Sequence, residues 1–286
     1  MRAAVLAAAA LAGFAGMLRA EPRRIVSAAP GITETLFALG LGSRVVGVSQ
    51  YCRYPAEARA LPKVGGYLRP DVEAIVALRP DLVIVQYAPN RVVAQLGRLK
   101  IDVLELEHGN LAHTLAMIRL IGERTGAAGK AAALAGDIRA RLDGVRRRAA
   151  GRKKRSLVFI VGRSPGRLDG LIAVGKGSFL NELIAIAGGV NALAGSVAPY
   201  PKIALETMAA LDPDVIVDMG DMGEVAKLTE AHRREVLALW RRLPHLEAVK
   251  KGRVWVAASD VFVIPGPRLA QAAEEFEKML YPEAAR

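Results

Sequence analysis

Two kinds of hydrophobic run alternate along the first part of the chain. Short continuous apolar stretches lie at Arg24 to Ser27, Val45 to Val48, Leu82 to Val85 and Asp102 to Leu106. Between them, apolar residues recur at three- and four-residue spacing. Continuous apolar strands set between helices predict a parallel sheet covered on both faces. Helices are predicted over Thr33 to Leu39, capped by Thr33 and stopped by Gly40, and over Val72 to Leu78, capped by Asp71. Two more follow, near Arg91 to Leu99 and after Asn110. A polar and aromatic loop, Ser49 to Pro55, follows the second strand.

The second part repeats the plan. Val72 to Val83 matches Leu205 to Ile216 at a constant offset of 133, with Glu, Ala, Leu, Pro and Asp coinciding. Glu34 to Gly40 matches Glu182 to Gly188 more weakly. Two copies and no third mean two related lobes rather than a solenoid. Between them, Ala131, Leu134, Ala135, Ile138, Leu142, Val145 and Ala149 mark one face of a helix from Ala127 to Ala149. At 1.5 Å per residue it is roughly 35 Å long, enough to bridge two lobes. A terminal helix after Pro267 places Leu269, Ala273, Phe276 and Leu280 on one face. The predicted fold is therefore α/β: two α/β lobes with parallel sheets, joined by one long backbone helix. The lobes are expected at 21–126 and 151–286, with the interlobe helix at 127–150.

Composition adds limits. With 52% hydrophobic and 24% charged residues in 286, the chain is globular and long enough to bury two cores. A single cysteine, Cys52, rules out a disulfide framework or a cysteine metal cluster. The net charge of +12 suggests nucleic acid, but its distribution argues otherwise. Nine basic residues and one acid, Asp143, crowd between Arg139 and Arg155, with no aromatic residue nearby to stack on a base. That run is read as a solvated helix end, and no nucleic-acid partner is expected. Met1-Arg2, an apolar run from Ala3 to Leu18 and Arg19-Ala20-Glu21-Pro22 read as a cleaved signal peptide over 1–20. The expected location is the periplasm, free of a lipid anchor because Cys52 lies too far from the apolar run.

Several motifs imitate chemistry they do not support. Gly162-Arg163-Ser164-Pro165-Gly166 has the spacing of a hydrolase nucleophile elbow. Its oxyanion hole needs the N–H after the serine, and Pro165 has none. The segment is read as a turn, and a hydrolase would require Ser164 to react with an acylating probe. Gly170 to Gly177 resembles a phosphate loop, but Gly177 stands where a magnesium-binding hydroxyl belongs, and Ser178 is read as a helix cap. His108 and His113 are five apart, a spacing that suits neither a helical nor a strand face for a metal. His232 and His245 are read as surface residues. The expectation is no enzyme, no cofactor and no metal held by the protein.

Five of the six tyrosines, Tyr51, Tyr54, Tyr67, Tyr87 and Tyr200, fall in predicted loops. Tyr51 and Tyr87 come just after strands, where open α/β sheets place their ligand crevice. Tyr67 and Tyr200 each stand six residues before the repeated glutamates, Glu73 and Glu206. Equivalent aromatic loops from opposite lobes suit a flat, bulky ligand.

With these motifs the chain resembles the periplasmic solute-binding proteins of iron-siderophore, haem and cobalamin importers, a helical-backbone family. The resemblance spans Arg24 to Leu280. It rests on Arg24-Ile25-Val26-Ser27 with Thr33-Glu34, on Val46 to Pro55, on Lys63-Val64-Gly65-Gly66 and on Glu73 through Val83. It continues through Gly188-Gly189-Val190-Asn191, Glu206 through Asp214 and Pro265-Gly266-Pro267-Arg268. It implies a non-catalytic, monomeric receptor of an ABC importer, touching the membrane only through the permease and its ATPase. The Tyr-Cys-x-Tyr-Pro loop looks most like cobalamin receptors and implies Tyr51, Tyr67, Tyr87, Tyr200 and Asp260 as contacts to a corrinoid. Cobalamin members often carry tryptophan where Tyr67 and Tyr200 stand, which leaves haem or a ferric siderophore open. Haem would take Tyr51, Tyr67 or His108 as axial ligand, and an anionic siderophore would draw on Arg69, Arg91, Arg163 and Arg268. Glu73 and Glu206 are implied to dock into arginine pockets of the permease. The plain alternative is that each favours its helix dipole.

Overall fold

The computed structural model describes residues 21–89, 91–220, 229–257 and 259–284. The expected signal peptide lies outside them. The N-terminal lobe runs β1 (Ile25–Ser27), α1 (Pro30–Ala38), β2 (Val45–Val48), α2 (Val72–Ala77), β3 (Leu82–Gln86), α3 (Val92–Arg98) and β4 (Val103–Leu106). Its four strands are all parallel in the order β2-β1-β3-β4, with Ile25 opposite Val45 on one side and Leu82 on the other. Strands β1 and β3 are buried on both faces, as βα crossovers require, while the edge strand β4 exposes Glu105.

Helices α4 (Leu111–Thr125) and α5 (Ala128–Ala149) follow. They pack closely where Gly122 faces Ala131: a Cβ on Gly122 would sit 2.3 Å from that of Ala131. The second lobe comprises β5 (Ser156–Gly162), β6 (Leu171–Ala173), α6 (Phe179–Ile186), β7 (Val190–Asn191), β8 (Lys202–Ile203), α7 (Leu205–Leu211), β9 (Val215–Asp218), α8 (Glu230–Trp240), α9 (Glu247–Lys250), β10 (Val254–Val256) and α10 (Leu269–Leu280). Here β10, β9, β5 and β7 are parallel, while β6 and β8 add an antiparallel edge.

Alternation along the strands gives each sheet two different faces. Ile25 and Phe159 point into one apolar core shared by both lobes, and Val26 and Val158 into separate outer cores. The shared core runs from Ile32 and Leu36 of α1 through Ile138, Leu142 and Val145 of α5 to Phe262 and Phe276. Phe159, Phe262 and Phe276 meet with ring centroids 5.2 to 5.5 Å apart. The long helix is therefore the spine against which both lobes pack.

The internal repeat has a physical meaning. Helices α2 and α7 are followed by Arg79 and Asp212, both left-handed at φ 46° and 34°. The repeated Pro-Asp then caps a strand start: Asp81 accepts from the backbone N–H of Arg23 and Arg24, and Asp214 from that of Ser156. Asp71 and Ser178 cap their helices as read from the sequence, and Asn110 caps α4. The first helix differs. It begins at Pro30, which needs no N–H there, and Thr33 lies inside it with its hydroxyl turned to the Ala29 carbonyl.

The basic run is only partly a solvated helix end. Arg141 and Arg148 pair with Glu274 and Glu277 of α10, and Arg155 pairs with Glu283. Two arginines of the run thus tie the spine to the terminal helix, and a third, just past the spine, holds the segment that follows that helix. No helix among the described residues is long and apolar enough to cross a membrane.

Candidate ligand-binding cleft

The loops at the C-terminal ends of the strands carry the predicted tyrosines. The loop after β2 is pinned from beneath: the Thr33 hydroxyl donates to buried Cys52 Sγ at 3.1 Å, and the Cys52 N–H bonds to the Ser49 carbonyl. Burial pushes the Cys52 thiol up to about 11, so it stays neutral. With Cys52 turned inward, Tyr51 and Tyr54 on either side stand out. Tyr51 meets Tyr67 edge to face at 5.6 Å. Tyr87 follows β3 directly. In the other lobe, Tyr200 sits between Pro199 and Pro201, whose carbonyls accept from Gly175 and Ala173.

All five rings keep 38 to 50% of their surface exposed, a large apolar area for a chain of few aromatics. Tyr67 and Tyr200 come from opposite lobes. Burial raises the Tyr200 phenol above its ordinary range, and the neighbouring Tyr67 adds to the rise.

The predicted charged contacts fare differently. Arg163 does not stand free: its side chain is 2% exposed, and its Nε donates to Asp218 at 2.9 Å. Its remaining bonds go to the Ser164 and Arg167 carbonyls. A buried charge must be paired, and this one is paired inside the second lobe. Arg268 is also engaged. It donates to both carboxylate oxygens of Glu34 and, through Nη1, to Asp260 at 2.9 Å, and its guanidinium lies 4.0 Å from the Tyr54 ring centroid. Asp260 and Arg268 are thus brought together. The arginine is held by two carboxylates rather than offered to an anion.

Arg69 and Arg91 are exposed, with no ion pair among the described residues. His113 Nδ1 bonds to the His108 backbone carbonyl at 2.8 Å rather than sharing a ligand with its ring. No group of three metal-ligating side chains occurs among the described residues. Ser164 lies in a turn closed by its N–H to the Asp169 carbonyl.

Glu34 is the site residue whose importance is least marked in the sequence. Its signs there are a lone charge in the otherwise uncharged segment from Ile25 to Leu39, the weak Glu34 to Gly40 repeat and the Thr33-Glu34 pair. Glu73 and Glu206 occupy equivalent first turns of α2 and α7, exposed and without an ion pair among the described residues. Beside Glu206 lies an open hollow of about 470 Å³ lined by Leu168, Lys202 and Ile203 among others.

Comparison with known proteins decides the family, because the match to the periplasmic binding proteins covers residues 25–261. The chain belongs to the periplasmic binding protein family. Members are solute-binding transport proteins of the ABC importer class, serving small ligands of the cobalamin, haem and siderophore group, and are not enzymes. An uncharacterised ABC transporter substrate-binding lipoprotein of Bacillus subtilis is 31% identical over 274 residues, 93% of this chain and 82% of that one. The vitamin B12-binding protein of Vibrio cholerae superposes with a TM-score of 0.77 at 27% identity, covering 93% of this chain and 99% of the other. A periplasmic haem-binding protein from Roseiflexus in its apo form gives 0.78 at 27% identity, covering 92% and 99%. For a periplasmic binding protein, a spine helix with two lobes around it is the expected architecture. The two structural likenesses are equal within a hundredth, so the ligand must be argued from the cleft.

Proposed function

We propose that this periplasmic binding protein captures a corrinoid between its lobes and delivers it to an ABC permease. One observation carries the reading: half-exposed tyrosines stand in the loops of both lobes, Tyr51, Tyr54, Tyr67 and Tyr87 in the first and Tyr200 in the second. Such an arrangement offers ring faces and phenol hydroxyls to a broad macrocycle from two sides, and Asp260 adds an acceptor from the second lobe. Delivery to the periplasm by a cleaved leader over 1–20, work as a monomer and docking through Glu73 and Glu206 complete the proposal.

Haem is the second reading, favoured by Arg53 and Arg69. Each stands two residues beyond a cleft tyrosine and is exposed without an ion pair among the described residues, so it could meet a carboxylate side arm.

Titration of refolded mature protein with cyanocobalamin and haemin separates the two. Tight one-to-one cobalamin binding is expected, weakened about 2- to 13-fold by Tyr67→Ala or Tyr200→Ala, as the loss of one aromatic contact of about 0.5–1.5 kcal/mol implies. Binding of haemin alone moves the ligand to the second reading. Charge reversal at both Glu73 and Glu206 should abolish transport with ligand affinity intact. A fall in affinity would remove the docking assignment.

A further inference from the structure

Glu34 is the one charge between Ile25 and Leu39, and its side chain is 1% exposed. A lone buried carboxylate costs several kcal/mol, so its position demands a partner. That partner comes from the other lobe, 234 residues away. Arg268 presents Nε and Nη2 to the two oxygens of Glu34, a planar fork that fixes direction as well as distance. Its Nη1 holds Asp260 of its own lobe, and its face covers Tyr54 of the opposite lobe. Burial pushes the Glu34 carboxyl up while Arg268 pulls it back, as a pair drawn out of water should behave. Alongside, the backbones touch: a Cβ on Gly31 would lie 2.3 Å from the Pro265 carbonyl oxygen.

We propose that Arg268 is a positioning residue: through Glu34, Asp260 and Tyr54 it forms a strut across the floor of the cleft that fixes the gap between the lobes before any ligand arrives. The shared apolar core keeps the lobes together but is non-directional. The strut adds direction, because a bidentate guanidinium tolerates little sliding. Two carboxylates against one guanidinium also leave the strut without a spare positive charge, so it orders the cleft rather than attracting an anion. A gap set in advance spares the ligand the cost of ordering it. Only this last consequence rests on the cleft being the ligand site.

The test is the interlobe distance in the ligand-free protein, read by spin labels at Gln95→Cys on α3 and Glu235→Cys on α8. Cys52 is buried and stays unlabelled. The parent should give a single narrow distribution, Arg268→Met one at least twice as wide, and Arg268→Lys an intermediate width because an ammonium cannot hold both oxygens. Should Arg268→Met fail to fold around its orphaned carboxylate, Glu34→Met/Arg268→Met removes both charges and should fold with the same broadening. Parental widths in the folded variants would overturn the proposal, since the apolar core alone would then set the gap. With cyanocobalamin or haemin, whichever the parent binds, affinity should fall at least tenfold in Arg268→Met and less in Arg268→Lys. Broadening without a change in affinity would uphold the strut and overturn only its consequence for the ligand. If the parent binds neither probe, the distances decide alone.

Discussion

The Arg163–Asp218 pair distinguishes a strut from a ligand contact by its energetics. Asp218 ends β9 fully buried and accepts three bonds: Arg163 Nε at 2.9 Å, Trp240 Nε1 at 2.7 Å and the Gly220 N–H at 2.6 Å. Arg163→Met leaves this carboxyl beside an apolar core, with two neutral donors and no cation. Breaking one partner of a buried pair typically costs about 3–5 kcal/mol. At about 2–4 °C per kcal/mol for a domain of this size, the unfolding midpoint should fall by about 6–20 °C. Asp218→Asn should be similarly damaging, because it strands the arginine. The double variant Arg163→Met/Asp218→Asn removes both charges and forfeits one acceptor, about 1–3 kcal/mol, so it should be more stable than either single variant. Thermal unfolding followed by tryptophan fluorescence suits the measurement, since Trp240 belongs to the network. An Arg163→Met protein with the parental midpoint and weakened ligand binding would refute the reasoning and return Arg163 to the ligand.

Two further predictions test other buried features. Cys52 should resist alkylation in the native protein at pH 8 and react at the rate of unfolding in denaturant; prompt native labelling would contradict its burial. Its thiol rises from 9.0 to about 11 on folding, so between those values the native state holds a proton the unfolded chain has lost. Stability therefore falls as pH climbs from 9, by about 2–3 kcal/mol at pH 11, and Cys52→Ala should lack that part of the slope. Gly31→Ala should destabilise by about 1–3 kcal/mol through its clash with Pro265, against the gain of about 0.5–1 kcal/mol alanine ordinarily brings to a helix. A rise in the midpoint would mean that the start of α1 and the Pro265 segment part freely.

What the sequence discloses and what it hides follow the range of the forces involved. The spine helix is legible because Ala131 to Ala149 repeats at helical spacing, and the lobes because Glu73 to Asp81 recurs at Glu206 to Asp214. Asp71 and Ser178 are legible as caps because each is a short polar residue just before an apolar helical run, and each accepts from the N–H three residues on. The antiparallel edge is not: β6 has three residues and β8 two, too few for any period to register. Ion pairing is hidden for another reason. Arg163 finds Asp218 55 residues away, Arg141 finds Glu274 133 away and Arg268 finds Glu34 234 away. Nothing local distinguishes an arginine that will be buried from one that will face a ligand. The tyrosines sit between these extremes, since their loops were readable from the strands before them while where they stand relative to one another depends on both lobes.

The same long-range contacts bear on how selection works. Lobes that hinge freely can shrink onto a small ligand, and affinity then reports closure as much as fit. Here one apolar core runs through both lobes and α5, and a charged strut crosses the cleft floor. A ligand too small to touch both walls would leave Tyr67 or Tyr200 wet, forgoing roughly 25 cal/mol for every Å² of apolar surface left uncovered. A ligand broad enough to cover tyrosines of both lobes gains that area without ordering the protein. Discrimination by breadth then needs no moving part, and charge is left to act at the rim, where Arg53, Arg69 and Arg91 stand exposed. On this argument the floor of the cleft sets size and the rim sets charge, so variants at Arg268 and at Arg69 should alter selectivity along separate axes.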